Sequence, residues 1–273
     1  MNQNTTLHVF DQSVSLEPAG ADTFCGRTPA AYANMVGPYG GFLAATLLNA
    51  VLLHEERQGD PVSMTVNFAG PVGDGDFQVV ASARRTNRST QHWNVELSQQ
   101  GVVAVTATVL LAVRRDTWGD TEVSMPDVPP SESVERIDAG QYLAWVRNYD
   151  FRVVEGHFDP AGGIEANGDS LTRLWVRDMP PRPLDYLSLM AISDCFFPRI
   201  FVRRQQRMPV GTVSLTTYFH ADRDSLARQG DSPVLAEAHA HRYSRGFFDH
   251  TGKLWGVGGE LLATTHQMVY FKD

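Results

Sequence analysis

The stretch from Pro183 to His220 constrains this chain more than any other. Its first part, Leu184 to Phe201, is apolar on nearly every face: Leu184, Leu187, Met190, Ile192, Phe196, Phe197 and Ile200 leave few polar positions. A helix of that kind is wrapped by other structure rather than laid on a surface. One acid, Asp194, stands in its middle. A carboxylate in such surroundings must find partners, shift its pKa or do chemical work. Beyond Arg203 and Arg204, the run from Thr212 to Phe219 is β-branched and aromatic, which is strand chemistry. A buried helix carrying one acid thus feeds directly into a strand.

The same device occurs earlier. Gly40 to Leu53 is a second apolar helix, with Leu43, Leu47, Ala50, Val51 and His54 marking its spacing and Gly59 and Pro61 its end. It leads into Val62-Ser-Met-Thr-Val-Asn-Phe68, which matches Val213-Ser-Leu-Thr-Thr-Tyr-Phe219 at Val, Ser, Thr and Phe. Further on, Arg85 and Arg88 parallel Arg242 and Arg245, and Ala104 and Thr106 parallel Ala263 and Thr265. The pattern reads as an internal duplication of a helix followed by antiparallel strands.

After the first helix, Val62–Phe68, Phe77–Arg85, Thr90–Gln99 and Val102–Arg114 form a meander broken by Gly or polar turns. Residues 116–140 lose the pattern, and the proline-rich run from Ser124 to Ser133 marks the boundary between copies. The second copy is expected to hold strands at Phe151–Phe158 and Leu171–Val176, then the helix, a strand at Gly211–His220 and a charged loop at Ala221–Pro233. Strands at Val234–Ser244, Phe247–Trp255 and Glu260–Phe271 close it, and a short strand is expected near Leu7–Val14. One long central helix wrapped by a curved antiparallel β-sheet in each half predicts an α+β fold, a tandem double hotdog. Its N-terminal hotdog would occupy residues 1–120, its linker 121–145 and its C-terminal hotdog 146–273. The two copies would cover each other as a dimer within one chain.

The length of 273 residues and 42% apolar composition suffice for such cores. A net charge of −8 argues against general affinity for nucleic acid or anionic membrane. The first twenty residues carry no apolar core, and no apolar run reaches spanning length. Cys25 and Cys195 form no CxxC and no disulfide framework. These features describe a soluble protein of a reducing compartment, expected to be cytoplasmic, and they leave room for a homo-oligomer of double-hotdog subunits.

Several motifs carry a plainer reading. Gly168-Asp-Ser-Leu-Thr172 spells the GDSL of serine esterases, but it lies mid-chain without a downstream Asp-x-x-His and reads as a turn into a strand. Cys195, among phenylalanines, reads as an inert thiol. His239-x-His241 suggests a metal pair, but no third ligand has an evident position, so it reads as a solvated strand face and no metal is expected. Gly37-Pro-Tyr-Gly-Gly41 lacks the Lys-Ser/Thr of a phosphate loop. Its Gly40 and Gly41 suit a close backbone approach, for packing or for a substrate carbonyl. The arginines, Arg85 and Arg88 among them, are candidates for the phosphates of a substrate, or solvated strand ends.

Ser193-Asp194-Cys-Phe-Phe-Pro198 resembles the Ser-Asp-x-x-Phe-x-Pro signature of the type II acyl-CoA thioesterases, which are double-hotdog enzymes. Gly211-Thr212, Tyr218-Phe219-His220, Arg245-Gly246-Phe247, the run Leu262 to Gln267, and Tyr39-Gly40-Gly41-Phe42 resemble that family's further motifs in order, from Tyr39 to Phe271. The resemblance implies that Asp194, Thr212 and Gln267 converge on a water that attacks the thioester of an acyl-CoA substrate, without a cofactor. A carboxylate can take the water's proton as general base, a hydroxyl and an amide can fix the water, and N–H groups at a helix start can hold the oxyanion. The chain departs from the family at Ser214 and Leu215, where many members carry Asp-His, and at Met268-Val269, where Glu-Gly is common. A hotdog that binds acyl groups without turning them over therefore stays open beside the thioesterase reading. A hydratase on the same fold lacks support, since no Gly-Asp-x-Asn-Pro-x-His run is present.

Overall fold

The computed structural model describes residues 7–159, 161–166 and 168–273. The first half holds a short helix α1 (Val9–Ser13), β1 (Glu17–Pro18), β2 (Thr23–Arg27), the helix α2 (Gly40–Leu53), and the meander β3 (Asp60–Phe68), β4 (Asp76–Thr86), β5 (Thr90–Gln99) and β6 (Val102–Ala112). The second half holds β7 (Tyr149–Glu155), β8 (Thr172–Asp178), α3 (Tyr186–Ile192), α4 (Arg199–Arg204), β9 (Val210–Phe219) and α5 (Arg223–Gln229). It closes with β10 (Val234–His239), β11 (Tyr243–Ser244), β12 (Phe247–Trp255) and β13 (Leu261–Phe271). All pairings are antiparallel, in the order β1-β2-β4-β5-β6-β3-β9-β13-β12-β10-β8-β7, with β11 beside β12.

The strands alternate as a half-buried sheet must. In β5, Gln91, Trp93, Val95 and Leu97 point inward while their neighbours face solvent. The inward set encloses α2, of whose fourteen residues ten are buried, including Phe42, Leu43, Leu47 and Val51. Helix α2 packs on β4 and β5 and, across the molecule, on α3. The result is the α+β double hotdog. The two half-sheets are not separate, as expected, but fuse through a β3–β9 ladder running from Ser63↔Tyr218 to Asn67↔Ser214. Fusion satisfies the N–H and C=O groups that each half-sheet would otherwise leave unpaired at this edge.

Four further expectations are corrected. The segment at Leu7–Val14 is helical, not a strand, because the His8 ring accepts the Phe10 N–H (3.0 Å) and caps α1. The second central helix is not continuous: α3 ends at Ile192, and Pro198 caps the separate α4. A proline at 198 lacks an N–H and would clash with the carbonyl four residues back, that of Asp194, so the helix must break between them. The charged loop at Ala221–Pro233 contains α5, started by the Asp222 carboxylate accepting the Ser225 N–H (2.8 Å). The strand at Val234–Ser244 breaks after His239, because the Asp249 carboxylate draws the N–H groups of His241 and Arg242 out of the ladder.

The chain between β6 and β7 carries no strand, only three 3-10 turns at Ser131–Ser133, Ala139–Gln141 and Ala144–Asn148. Among the described residues no helix is long and apolar enough to cross a membrane.

Candidate active site

The break between α3 and α4 places Asp194 at the first turn of α2. A Cβ built on Gly40 would lie 2.7 Å from Asp194 Oδ2 and 3.3 Å from the Phe68 ring. Gly41 is equally constrained, since a Cβ there would strike the Ala191 carbonyl and the Tyr39 ring. Both glycines are thus required by close approach, and they bring the free N–H groups of a helix start to a carboxylate. Tyr39 anchors the junction by donating from its hydroxyl to the Ala191 carbonyl (2.6 Å). The broken segment is held from behind by Arg199, which is fully buried. It donates to the Phe197 carbonyl through Nε (3.0 Å) and Nη2, and to the Ser170 carbonyl and Thr172 hydroxyl (2.8 Å each).

Gln267 on β13 donates from Nε2 to Asp194 Oδ1 (3.0 Å) and accepts at Oε1 from the Thr212 hydroxyl (3.4 Å). The structure therefore brings all three residues together, but as a chain. Asp194 and Thr212 line one cavity of about 600 Å³, whereas Gln267, 4% exposed, lies behind the carboxylate and outside the cavity wall. Protein encloses Asp194 on most sides, and the cavity leaves it partly accessible. Burial pushes its carboxyl up to about 7, against the opposing pull of the Gln267 amide and the Gly41 N–H. A carboxylate poised near neutrality in contact with a cavity is the state a general base requires.

The remaining wall is aromatic and comes partly from the segment expected to be a passive linker. Trp145 stacks on Tyr39 at 4.2 Å, and Tyr142 lies 5.6 Å from the Phe197 ring. Met35, Phe158 and Arg207 also line the cavity. Sequence reasoning missed the linker aromatics and Arg207, because neither sits on a periodic element. A larger recess of about 710 Å³ between Ser15 and β4 contains none of these groups.

Arg85 and Arg88 are not brought to the cavity. Arg85 sits on β4 against Asn87 (3.0 Å), and the Arg88 carbonyl accepts from Gln58, just past the far end of α2. The fourteen residues of α2 span about 21 Å, which separates these arginines from Asp194 at its start. Cys195 is buried and its thiol is pushed far up by burial and by Asp194, so it is no nucleophile. Ser170 is buried and its hydroxyl accepts the Ala240 N–H (3.0 Å), which makes the GDSL run a turn. His239 and His241 touch through Nε2 (3.2 Å), but among the described residues no three His, Cys, Asp or Glu are placed to hold a metal.

The duplication gives this site a counterpart. Met64 and Leu215 are equivalent, and their ladder partners are Val109 and Gln267, a register one residue off the Ala104–Ala263 match read from the sequence, since Phe68 pairs with Val105 and Phe219 with Ala263. Likewise Pro61 is the equivalent of Thr212. The symmetry-related position thus carries neither the amide nor the hydroxyl.

Fold and site together define a double-hotdog protein with one carboxylate–amide–hydroxyl centre at a helix start. Residues 29–112 match the acyl-CoA thioesterase N-terminal domain and residues 121–271 the acyl-CoA thioesterase C-terminal domain, so the chain belongs to the acyl-CoA thioesterase family. A hot dog fold protein of unknown function from Alicyclobacillus acidocaldarius is 44% identical over 98% of this chain and 99% of its own, with a TM-score of 0.93. The tesB protein of Mycobacterium avium subsp. paratuberculosis shares the fold at 18% identity over 97% of this chain and 98% of its own, with a TM-score of 0.77. An acyl-CoA thioesterase II from Mycobacterium marinum does so at 17% identity over 97% and 98%, with a TM-score of 0.74. No curated protein matches the chain.

Proposed function

We propose that the protein hydrolyses acyl-CoA thioesters to a free acid and coenzyme A, with Asp194 as general base. The observation that carries this reading is the Asp194 carboxyl, pushed up to about 7 at the wall of an aromatic cavity and tied to Gln267. Water between Asp194 and Thr212 attacks the thioester carbonyl carbon while its proton passes to Asp194. The resulting oxyanion is stabilised by a first-turn N–H of α2 other than that of Gly41, which serves Asp194, a type of interaction worth about 3–4 kcal/mol per donor in other hydrolases. The carbonyl re-forms, the C–S bond breaks, and the thiolate takes the proton back from Asp194. Thr212 orients the water, and Gln267 orients Asp194 and holds down its pKa.

Leu215 fills the position where many members carry His, and it is fully buried opposite Gln267. The Thr212–Gln267–Asp194 chain is complete without it. Thiol release from a panel of acyl-CoAs tests the reading. Release that falls steeply in Asp194→Asn is expected, and tight binding without release from any substrate would replace hydrolysis with the binding-only reading.

A further inference from the structure

Arg207 is the one arginine in the wall of the Asp194 cavity among its lining residues. It lies in the turn between α4 and β9 and is exposed, and its guanidinium sits 6.0 Å from the centre of the Phe158 ring. No carboxylate pairs with it among the described residues, although the chain carries an excess of eight negative charges. Some arginines of this half are occupied, Arg204 by Asp273 (2.5 Å), Arg173 by Glu155 and Glu237, Arg152 by Asp150, and those without an ion pair among the described residues, such as Arg203, Arg242 and Arg245, do not line the cavity. Asp159, which like Arg207 lies near the Tyr142 hydroxyl but acts on it in the opposite direction, is taken up instead by the N–H groups of Ala161 (2.8 Å) and Gly163 (2.7 Å). An exposed guanidinium steadied on an aromatic face, without a carboxylate partner, in the wall of a largely aromatic cavity has five donors ready for an anion.

We infer that Arg207 binds an anionic group of the substrate and sets which thioesters the site accepts. This rests on the thioesterase reading above. Two sources supply the same chemistry: a phosphate of the coenzyme A carrier, or a carboxylate at the far end of the acyl group. Because Arg207 and the general base Asp194 line one cavity, an anionic group on the thioester itself can reach the guanidinium while the carbonyl lies at Asp194. The guanidinium touches no reacting atom in this scheme. Its contribution is uniform binding of ground state and transition state, which alters KM and leaves kcat alone.

The test uses the full chain, Arg207→Gln and Arg207→Lys, with four substrates: a neutral acyl group or an ω-carboxyl acyl group, each on coenzyme A and on pantetheine, which has no phosphate. If the anion is the carrier's, Arg207→Gln raises KM about ten- to hundredfold for both coenzyme A substrates and leaves both pantetheine substrates unchanged. If the anion is the acyl carboxylate, KM rises for the ω-carboxyl substrate on either carrier. Arg207→Lys, which keeps the charge but loses the fork, should recover part of the loss in the affected pair. An unchanged KM for all four substrates overturns the inference while leaving hydrolysis intact. Should the wild type turn over none of the four, hydrolysis fails separately. Titration of wild type and Arg207→Gln with a non-hydrolysable thioether of each compound then decides the inference, equal affinity in both proteins overturning it.

Discussion

Thr65 and Thr216 face each other across the β3–β9 ladder with their hydroxyl oxygens 3.0 Å apart. They are also the same residue of the two sequence copies. An antiparallel pair in which a position meets its own equivalent is what a twofold axis through the ladder requires. The axis therefore passes between these two side chains, and the molecule is built as an isologous dimer inside one polypeptide. A fragment ending near Pro130 would expose the β3 edge and the face of α2 that packs on α3. It should aggregate, and size-exclusion chromatography with a melting curve checks this; a monomeric fragment that melts cooperatively would count against an internal dimer.

Asp194→Asn keeps the size of the side chain and loses the base. Turnover should fall roughly 10²–10⁴-fold with KM little changed. The stability change has a defined sign. The folded carboxyl titrates near 7 and the ordinary value is 3.8, so between these pH values the folded state keeps a proton that the unfolded chain has lost. Stability therefore falls as pH rises through this window, and above pH 7 the wild type carries the full cost of a buried charge. The variant should melt higher than the wild type at pH 8, by an amount on the order of 1 kcal/mol or more, and the gap should close towards pH 4. A lower melting temperature with normal turnover would assign Asp194 a structural role.

The pH profile isolates Gln267. For the wild type, kcat/KM should rise tenfold per unit below neutrality and level off above about 7, where Asp194 is ionised. Gln267 lowers that pKa by donating to the ionised form. Gln267→Ala should shift the inflection to higher pH and reduce the plateau less than Asp194→Asn does. An inflection that stays in place would mean that Gln267 acts on the water and not on the carboxylate.

Gly40 and Gly41 should fail in different ways. Gly40→Ala puts a methyl group 2.7 Å from Asp194 Oδ2, a side-chain atom that can rotate away. Turnover should drop, since sub-ångström displacement of a base is costly, while melting changes little. In Gly41→Ala the methyl meets the Ala191 backbone and the Tyr39 ring, both fixed by packing. That variant should lose several kcal/mol of stability, or fail to fold, by overpacking. Circular dichroism melts beside a thiol-release assay separate the two outcomes.

The fold was legible in the sequence where local signals were strong. The β5 and β12 boundaries follow from alternation and Gly-containing turns, and the Val-Ser-x-Thr repeat revealed the duplication, though not that its two strands pair with each other. Apolar content alone could not show that the second helix breaks, and the sign was Pro198, which the wide hydrophobic run obscured. In the site, the motif order singled out Asp194, Thr212 and Gln267, but only the folded chain separates the cavity-facing pair from the supporting amide. Arg85 and Arg88 were drawn in by their charge. Arg207, Tyr142 and Trp145 were overlooked because irregular segments carry no period, and only tertiary packing turns such a segment into a wall.

The pairing of Val109 and Pro61 with Gln267 and Thr212 also bears on what one chain can do that two identical chains cannot. In a dimer of identical subunits every substitution occurs twice, so whatever widens a channel in one copy also alters the chemistry in the other. Joining the copies end to end lifts that restriction. On the proposed reading, one lobe keeps the reacting groups, and its twin is free to specialise as the opposite jaw, offering the Gly40–Gly41 helix start, Tyr39 and Met35 without a nucleophile-activating set of its own. Each polypeptide should accordingly take up a single equivalent of substrate, and its titration curve should show no cooperativity between the lobes.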